Sequence, residues 1–158
     1  MRSESEIISA VEKYADTVRK ISLCHLKNED EAEDIFQDVF LKYMLCEKEF
    51  ESEEHEKAWI IRVTINKCKD SFRDHFKKNT ISIDTLINET ASGSDMDTRD
   101  VIRAVLHLPA KYRDVVYLHY YEGYTAAEIG QILSKKENTV YSLVSRAKGL
   151  LKTELEDE

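Results

Sequence analysis

The chain has 158 residues and a net charge of −8, with 42% hydrophobic and 34% charged residues. These values predict a soluble globular protein of one ordinary domain or two small ones, and the presence of only 4 Gly and 1 Pro favours helices over hairpins. No apolar run approaches the roughly 20 residues that span a bilayer, and the N-terminus lacks a signal-peptide pattern, so we expect a cytoplasmic protein without membrane insertion.

The charge is distributed unevenly along the chain. Between Glu29 and Glu56, twelve acidic residues and two lysines give a net charge of −10. The following stretch, Lys57 to Lys78, carries +5, and Lys135 to Lys152 carries +4. The acidity is therefore local, and two basic stretches remain that are compatible with nucleic-acid binding.

Residues that carry chemistry show no enzyme-like pattern. The three cysteines form no CxxC pair, and the five histidines have no metal-ligand spacing with cysteines or acids. No Gly-rich phosphate-binding loop occurs. The sequence therefore predicts no metal site, no cofactor and no enzymatic activity.

Apolar spacing predicts three helices in the N-terminal half. The first runs from about Ser5 to Cys24, and the second opens at Asn28 with Glu31 as its capping-box partner. After an acidic segment, 47–56, the third helix ends near Phe76. We predict a first domain over 1–76 and, from the polar composition that follows, a linker over 77–97.

The C-terminal half, 98–158, is predicted to be a second helical domain. One helix ends before Pro109, and the next runs from Ala110 to Tyr121. Gly123 allows a tight turn, after which Thr125 caps a short helix with Glu128 as capping-box partner. A turn over 134–136 leads to the last helix.

The last helix has one apolar stripe and one polar, partly basic face. The stripe comprises Val140, Leu143, Val144, Ala147, Leu150 and Leu151. A short capped helix, a turn and such a helix are typical of a helix-turn-helix that inserts into the major groove. Periodicity alone equally allows a solvated helix in a bundle. The expected fold is all-α, with two small domains, the C-terminal one a helix-turn-helix.

Several segments resemble the extracytoplasmic-function group of bacterial sigma factors. In the C-terminal half these are 108–113 (LPAKYR), 124–130 (YTAAEIG), 139–140 (TV) and 145–148 (SRAK). In the N-terminal half, 32–40 (AEDIFQDVF) is similar to the polymerase-binding helix, and 58–63 (AWIIRV) to the helix that recognises the minus-ten element. The resemblance implies a region 2-like domain and a region 4-like domain that direct core RNA polymerase to promoter DNA and aid promoter melting.

The resemblance also assigns residues to three surfaces. Core-polymerase contacts are expected from Asp34, Gln37, Asp38, Phe40 and Leu41. Minus-ten contacts are expected from Phe50, Trp59, Arg62, Asn66, Lys67, Lys69 and Arg73, with Asn66 as the base-contacting residue and Trp59 either stacking on a base or belonging to the core. Minus-thirty-five contacts are expected from Lys135, Lys136, Thr139, Tyr141, Ser142, Ser145, Arg146 and Lys148.

Two departures from the family pattern bear on specificity. The acidic segment 47–56, which corresponds to the element that captures a flipped minus-ten base, contains six glutamates. These are unfavourable beside phosphates unless they point away or cap the next helix. Tyr141 and Leu143 stand where many relatives have basic residues, which predicts altered reading of the minus-thirty-five element.

Two other functions fit parts of the sequence. A sigma-like protein could bind polymerase without selecting promoters, and a stand-alone helix-turn-helix regulator could act without polymerase. The second leaves the N-terminal resemblance unexplained. The family resemblance further implies an anti-sigma factor as a partner.

Overall fold

The computed structural model describes residues 1–26, 29–75 and 103–156, and the regular structure in these ranges is helical. The chain divides into two compact units, Met1–Ile81 and Ser82–Glu158. The all-α prediction is confirmed for these ranges. The predicted linker, 77–97, and the predicted domain limits at 76 and 98 lie outside the described residues. Within the described part of the chain, no helix is long and apolar enough to cross a membrane.

The first unit consists of three helices: α1 (Glu4–Leu26), α2 (Glu29–Leu45) and α3 (Glu53–His75). Each begins with glutamates in its first turn, where the negative charge interacts favourably with the helix dipole. The predicted cap of α2, Asn28, lies outside the described residues. The helix α1 is longer than predicted at both ends.

Each pair of these helices packs together around one core. Apolar residues at helical spacing supply it, as the sequence predicted. The core residues are Ala10, Tyr14 and Val18 of α1, Ile35, Val39, Phe40 and Tyr43 of α2, and Ile60, Val63 and Cys68 of α3.

The second unit contains a helical stretch at 103–107, then α4 (Ala110–Val116), a π-helical turn (Tyr117–Tyr121), α5 (Ala126–Leu133) and α6 (Glu137–Glu156). Pro109 precedes the first residue of α4, as predicted. The core of the second unit includes five fully buried residues: Val115, Leu118, Ile129, Val140 and Ala147.

The helix predicted from Ala110 to Tyr121 is present over that range, and its second half is π-helical. After Val116 the helix widens into the π-helical turn, in which Glu122 N donates to Tyr117 O at 3.1 Å. Gly123 then adopts a positive φ of 78°, and Tyr124 N donates to Leu118 O at 3.0 Å. The wider turn carries the chain from α4 into the loop that precedes α5.

Candidate polymerase and promoter interface

The carboxylate of Glu56, in the first turn of α3, joins the three helices of the first unit. Tyr14 of α1 and Tyr43 of α2 each donate a hydroxyl hydrogen bond to it at 2.9 Å. Burial, together with this hydrogen bond and the charge of Glu56, raises the pKa of both tyrosines, that of Tyr43 to about 12. The start of α3 is therefore fixed to α1 and α2.

The face of α2 that points away from the core carries most of the predicted polymerase contacts. Asp34, Gln37 and Asp38 are exposed, and Leu41 is 50% exposed. Leu45, one turn beyond Leu41, is 59% exposed and extends this surface, although the sequence prediction omitted it. We refer to these five residues as the α2 outer face.

Phe40, also predicted as a polymerase contact, is buried in this structure. Its side chain is 7% exposed and packs in the core, with its ring centroid 4.8 Å from that of Phe36. Because α2 turns by about 100° per residue, Phe40 faces inward while its neighbour Leu41 faces outward. Phe40 supports the α2 outer face from beneath.

Polar and basic residues form one exposed stripe along α3. Arg62, Asn66 and Lys69 are exposed and follow at intervals of four and three residues, which places them on one side of the helix. Lys67 is half-buried beside this stripe. The side chain of Arg73, four residues beyond Lys69, lies outside the described residues. We call Arg62, Asn66 and Lys69 the α3 stripe.

Trp59 and Phe50 form an aromatic cluster at the beginning of the α3 stripe. Their ring centroids are 5.6 Å apart, and the ring of Trp59 lies 6.2 Å from that of Tyr43. Both side chains are partly buried against the core. Of the two roles predicted for Trp59, packing against the core is the one that this geometry describes.

Four of the six glutamates of the acidic segment lie in the first turn of α3 or beside a positive group. Glu53, Glu54 and Glu56 belong to the first turn of that helix. Glu53 also lies 3.9 Å from the ammonium of Lys13, and Glu47 lies 3.8 Å from the N-terminal amine. The capping arrangement that the sequence left open is therefore present, and Glu56 points toward the core hydroxyls.

The turn between α5 and α6 depends on two residues with special backbone requirements. Ser134 closes α5 in the left-handed conformation, with φ 57°, and Lys135 N donates to Gly130 O at 2.8 Å. A Cβ on Gly130 would lie 2.6 Å from Lys135 O, so only glycine fits this close approach. The predicted turn over 134–136 is confirmed.

The start of α5 has the capping box that the sequence predicted. Thr125 Oγ1 accepts from Glu128 N at 3.2 Å, and Thr125 N donates to Glu128 Oε1 at 3.0 Å. Helices α5 and α6 pack on each other and, with the turn between them, form a helix-turn-helix. The second helix is held by its buried apolar stripe, so its other face is presented outward.

The outward face of α6 and the turn before it carry every predicted minus-thirty-five residue in an exposed position. These are Lys135, Lys136, Thr139, Tyr141, Ser142, Ser145, Arg146 and Lys148. Leu143 is 7% exposed and belongs to the core, so its apolar character reflects packing and takes no contact away from DNA. Leu150, predicted to belong to the apolar stripe, is 45% exposed.

No group of three or more His, Cys, Asp or Glu in the described ranges is arranged to hold a metal ion. The observed architecture is that of a two-domain helical protein whose second domain is a helix-turn-helix.

Comparison with known proteins identifies the class more closely. The family model for Sigma-70 region 2 matches residues 10–77, and that for Sigma-70, region 4 matches residues 98–151. The RNA polymerase sigma factor SigV of Bacillus subtilis is 24% identical, over 96% of this chain and 92% of its own length. The ECF RNA polymerase sigma factor SigW of the same organism is 27% identical, over 93% and 87%.

Solved structures share the fold. The sigma factor RpoE, in complex with the anti-sigma factor NepR from Bartonella quintana, is 20% identical, with a TM-score of 0.75 over 96% of this chain and 97% of its own. CnrH, in complex with the cytosolic domain of CnrY, is 17% identical, with a TM-score of 0.73 over 99% and 91%.

The chain belongs to the extracytoplasmic-function group of RNA polymerase sigma factors. It is a promoter-directing initiation factor, as the sequence predicted.

Proposed function

We propose that the chain selects promoters through three surfaces: the α2 outer face for core polymerase, the α3 stripe for the minus-ten element and the outward face of α6 for the minus-thirty-five element. The observation that carries this proposal is the separation of charge within the first unit. Acidic residues line α2, whereas Arg62, Asn66 and Lys69 give α3 a basic and polar stripe, with the exposed acid Asp70 beside it and the exposed Glu53 and Glu54 at the start of the helix. A protein partner and a DNA partner are thereby given different faces.

On α2, Asp34, Gln37 and Asp38 provide polar and negative groups, and Leu41 and Leu45 provide an apolar patch beside them. Exposed leucines on a charged helix are typical of a protein interface whose centre is apolar and whose rim is polar. An acidic rim favours a basic partner surface on the polymerase.

On α3, Asn66 lies between two cations and is the residue best placed to hydrogen-bond a base. Arg62 and Lys69, about one turn away on either side, are suited to phosphate contacts. Extruding a base from the duplex costs a few kcal/mol, which contacts to the extruded base must offset. Phe50 and Trp59, at the start of the α3 stripe, supply apolar surface against which the extruded base can pack.

On α6, Arg146 is the candidate for direct base contact, because a guanidinium can donate two hydrogen bonds to guanine. Ser142 and Ser145 lie on the same outward face, and Lys135 and Lys136 in the preceding turn are placed for phosphates. Ser142 Oγ donates to Asn138 O at 3.2 Å, so this hydroxyl must exchange that bond to meet DNA as a donor.

We also propose an anti-sigma factor as a partner. The two structural neighbours were solved with such a factor or with a partner cytosolic domain. A protein that covered Leu41 and Leu45 would bury apolar surface and block polymerase at the same time.

The α2 outer face is tested by measuring the affinity for core polymerase. Replacing Gln37 and Asp38 together by alanine is expected to weaken binding at least tenfold, while Glu12→Ala, an exposed acid on α1, leaves it unchanged. Equal affinities for the two variants would refute the assignment of this face. If the double substitution weakened polymerase binding but the wild type showed no promoter selectivity, the results would favour the sigma-like protein that binds polymerase without selecting promoters.

A further inference from the structure

The segment between α2 and α3, residues 46–52, is bound by its own neighbours at its two ends, and its Phe50 ring also packs edge-on against His55, with ring centroids 5.6 Å apart. At its start Cys46 N donates to Lys42 O at 3.0 Å, and at its end Ser52 Oγ accepts from His55 N at 3.1 Å. Regular secondary structure is absent from this segment, which carries Phe50. We call it the α2–α3 loop.

The middle of the α2–α3 loop is bound by Arg2, a residue from the other end of the unit. The Nη2 of Arg2 donates to Lys48 O, and the Nε donates to Tyr43 O at 3.0 Å. The guanidinium carbon lies 4.4 Å from the ring centroid of Tyr43 and 5.2 Å from that of Phe50. One side chain thus joins the end of α2, the loop backbone and the loop aromatic ring.

Two further contacts fix the position of Arg2 itself. Its backbone N donates to Met44 O at 3.0 Å, and its Nη1 lies 3.4 Å from Glu6 Oε2. The side chain is only 12% exposed. Because it is partly desolvated, its hydrogen bonds and cation–π contacts are stronger than those of a surface arginine.

We propose that Arg2 is a positioning residue for recognition of the minus-ten element: it sets the conformation of the α2–α3 loop and thereby places Phe50 beside Trp59 and the α3 stripe. This inference rests on the proposed function of that stripe. Arg2 acts through the loop and does not contact the DNA. A lysine cannot replace it, because a single ammonium lacks the planar fork that donates to two carbonyls while stacking on two rings.

The first test uses Trp59, the single tryptophan of the chain, as a probe. Its ring lies 5.6 Å from that of Phe50, so a displaced loop exposes it. In Arg2→Ala, acrylamide quenching of its fluorescence is expected to rise about twofold. Arg19→Ala serves as the matched control, because Arg19 pairs with Glu29 at 3.8 Å and is 62% exposed.

The second test measures base preference. Wild type and variants, each assembled with core polymerase, transcribe a promoter library randomised across both elements. Arg2→Ala and Arg2→Lys are expected to lose roughly tenfold in preference within the minus-ten element, corresponding to the loss of charge-assisted hydrogen bonds. Preference at the minus-thirty-five element and affinity for core polymerase are expected to stay as in the wild type and in Arg19→Ala.

The outcomes separate this inference from the proposed function. If the wild type showed no base preference at the minus-ten element, the proposed function of the α3 stripe would fail, and this inference with it. If the wild type showed a preference and both Arg2 variants retained it, only the role of Arg2 would be overturned. Arg2→Lys keeps the charge and the aliphatic stem, so it tests the role even if Arg2→Ala does not fold.

Discussion

The hydrogen bonds that Glu56 accepts from Tyr14 and Tyr43 couple three helices through one carboxylate. Both tyrosine residues are almost completely buried. Because the Tyr14 hydroxyl also lies 3.3 Å from Glu53 O, removal of the carboxylate deprives mainly the Tyr43 hydroxyl of its partner. A buried donor without a partner costs about 1–3 kcal/mol, more than the net contribution of a normal hydrogen bond.

We therefore predict that Glu56→Ala destabilises the first unit by about 1–3 kcal/mol. Urea unfolding followed by Trp59 fluorescence measures this unit, because the only tryptophan lies within it. Glu54→Ala, an exposed glutamate in the same turn of α3, is the control and should change stability by less than about 0.5 kcal/mol. Equal stabilities of the two variants would contradict the structural role of Glu56.

The raised pKa of Tyr43 predicts a pH dependence of stability. In the unfolded chain the hydroxyl ionises near its ordinary pKa of about 10, whereas in the folded chain it keeps its proton up to about pH 12. Between these values the folded state binds more protons than the unfolded state, so stability falls as the pH rises. Below pH 10 this contribution is fully present.

Tyr43→Phe should therefore flatten the loss of stability between about pH 10 and pH 12, which equilibrium unfolding at a series of pH values would measure. Tyr120→Phe, in the other unit and 50% exposed, is the control and should leave the slope unchanged. An unaltered slope in Tyr43→Phe would show that its hydroxyl is not protected in the folded state.

At the scale of elements, the turn between α5 and α6 contains a steric requirement that can be tested with a matched pair of glycines. Gly130 approaches Lys135 O so closely that a Cβ would lie 2.6 Å from it, whereas a Cβ on Gly149, within α6, would meet nothing within 4 Å. The same substitution is made at both sites, and the sites differ in the room available for the new Cβ.

Gly130→Ala is expected to destabilise the second unit by about 1–3 kcal/mol, because the backbone of the turn must move. Gly149→Ala is expected to stabilise it by about 0.5–1 kcal/mol, because alanine is the better helix former. Thermal unfolding followed by circular dichroism measures both. Opposite signs support the turn geometry, and destabilisation by both substitutions would contradict it.

Helix α6 is predicted to read bases, and the turn before it is predicted to bind phosphates. Arg146→Ala should cost about 1–3 kcal/mol in promoter binding and relax base preference in the minus-thirty-five element. Lys135→Ala should weaken binding to all sequences alike and lower the salt dependence by about one phosphate contact. Fluorescence anisotropy of the holoenzyme with labelled promoter variants at several salt concentrations measures both. Unchanged promoter binding in Arg146→Ala would refute the assignment.

At the scale of the whole molecule, helical periodicity and capping signals predicted most of the fold. Thr125 and Glu128 are three residues apart, so their capping box can be recognised from sequence alone. The π-helical turn could not be, because it depends on how α4 meets the loop at Gly123. Local patterns therefore located the elements better than they described their irregular ends.

The residues assigned to the polymerase and DNA surfaces stay predictions, and the sequence did not show which of them are buried. Phe40 lies within a segment that resembles the family, but resemblance does not tell an inward from an outward side chain. Arg2 was missed because its partners are 41 and 46 residues away along the chain. Contacts at that separation exist only once the three helices have packed.

The claim that this chain directs polymerase to promoters is tested most directly by mapping RNA start sites in a purified system. Bacterial core polymerase would transcribe genomic DNA from the organism that encodes the chain, with and without the purified protein. We predict discrete start sites that appear only with the protein and that share two upstream sequence elements. If the same RNA start sites were found with and without the protein, the claim that this chain directs polymerase to promoters would be contradicted.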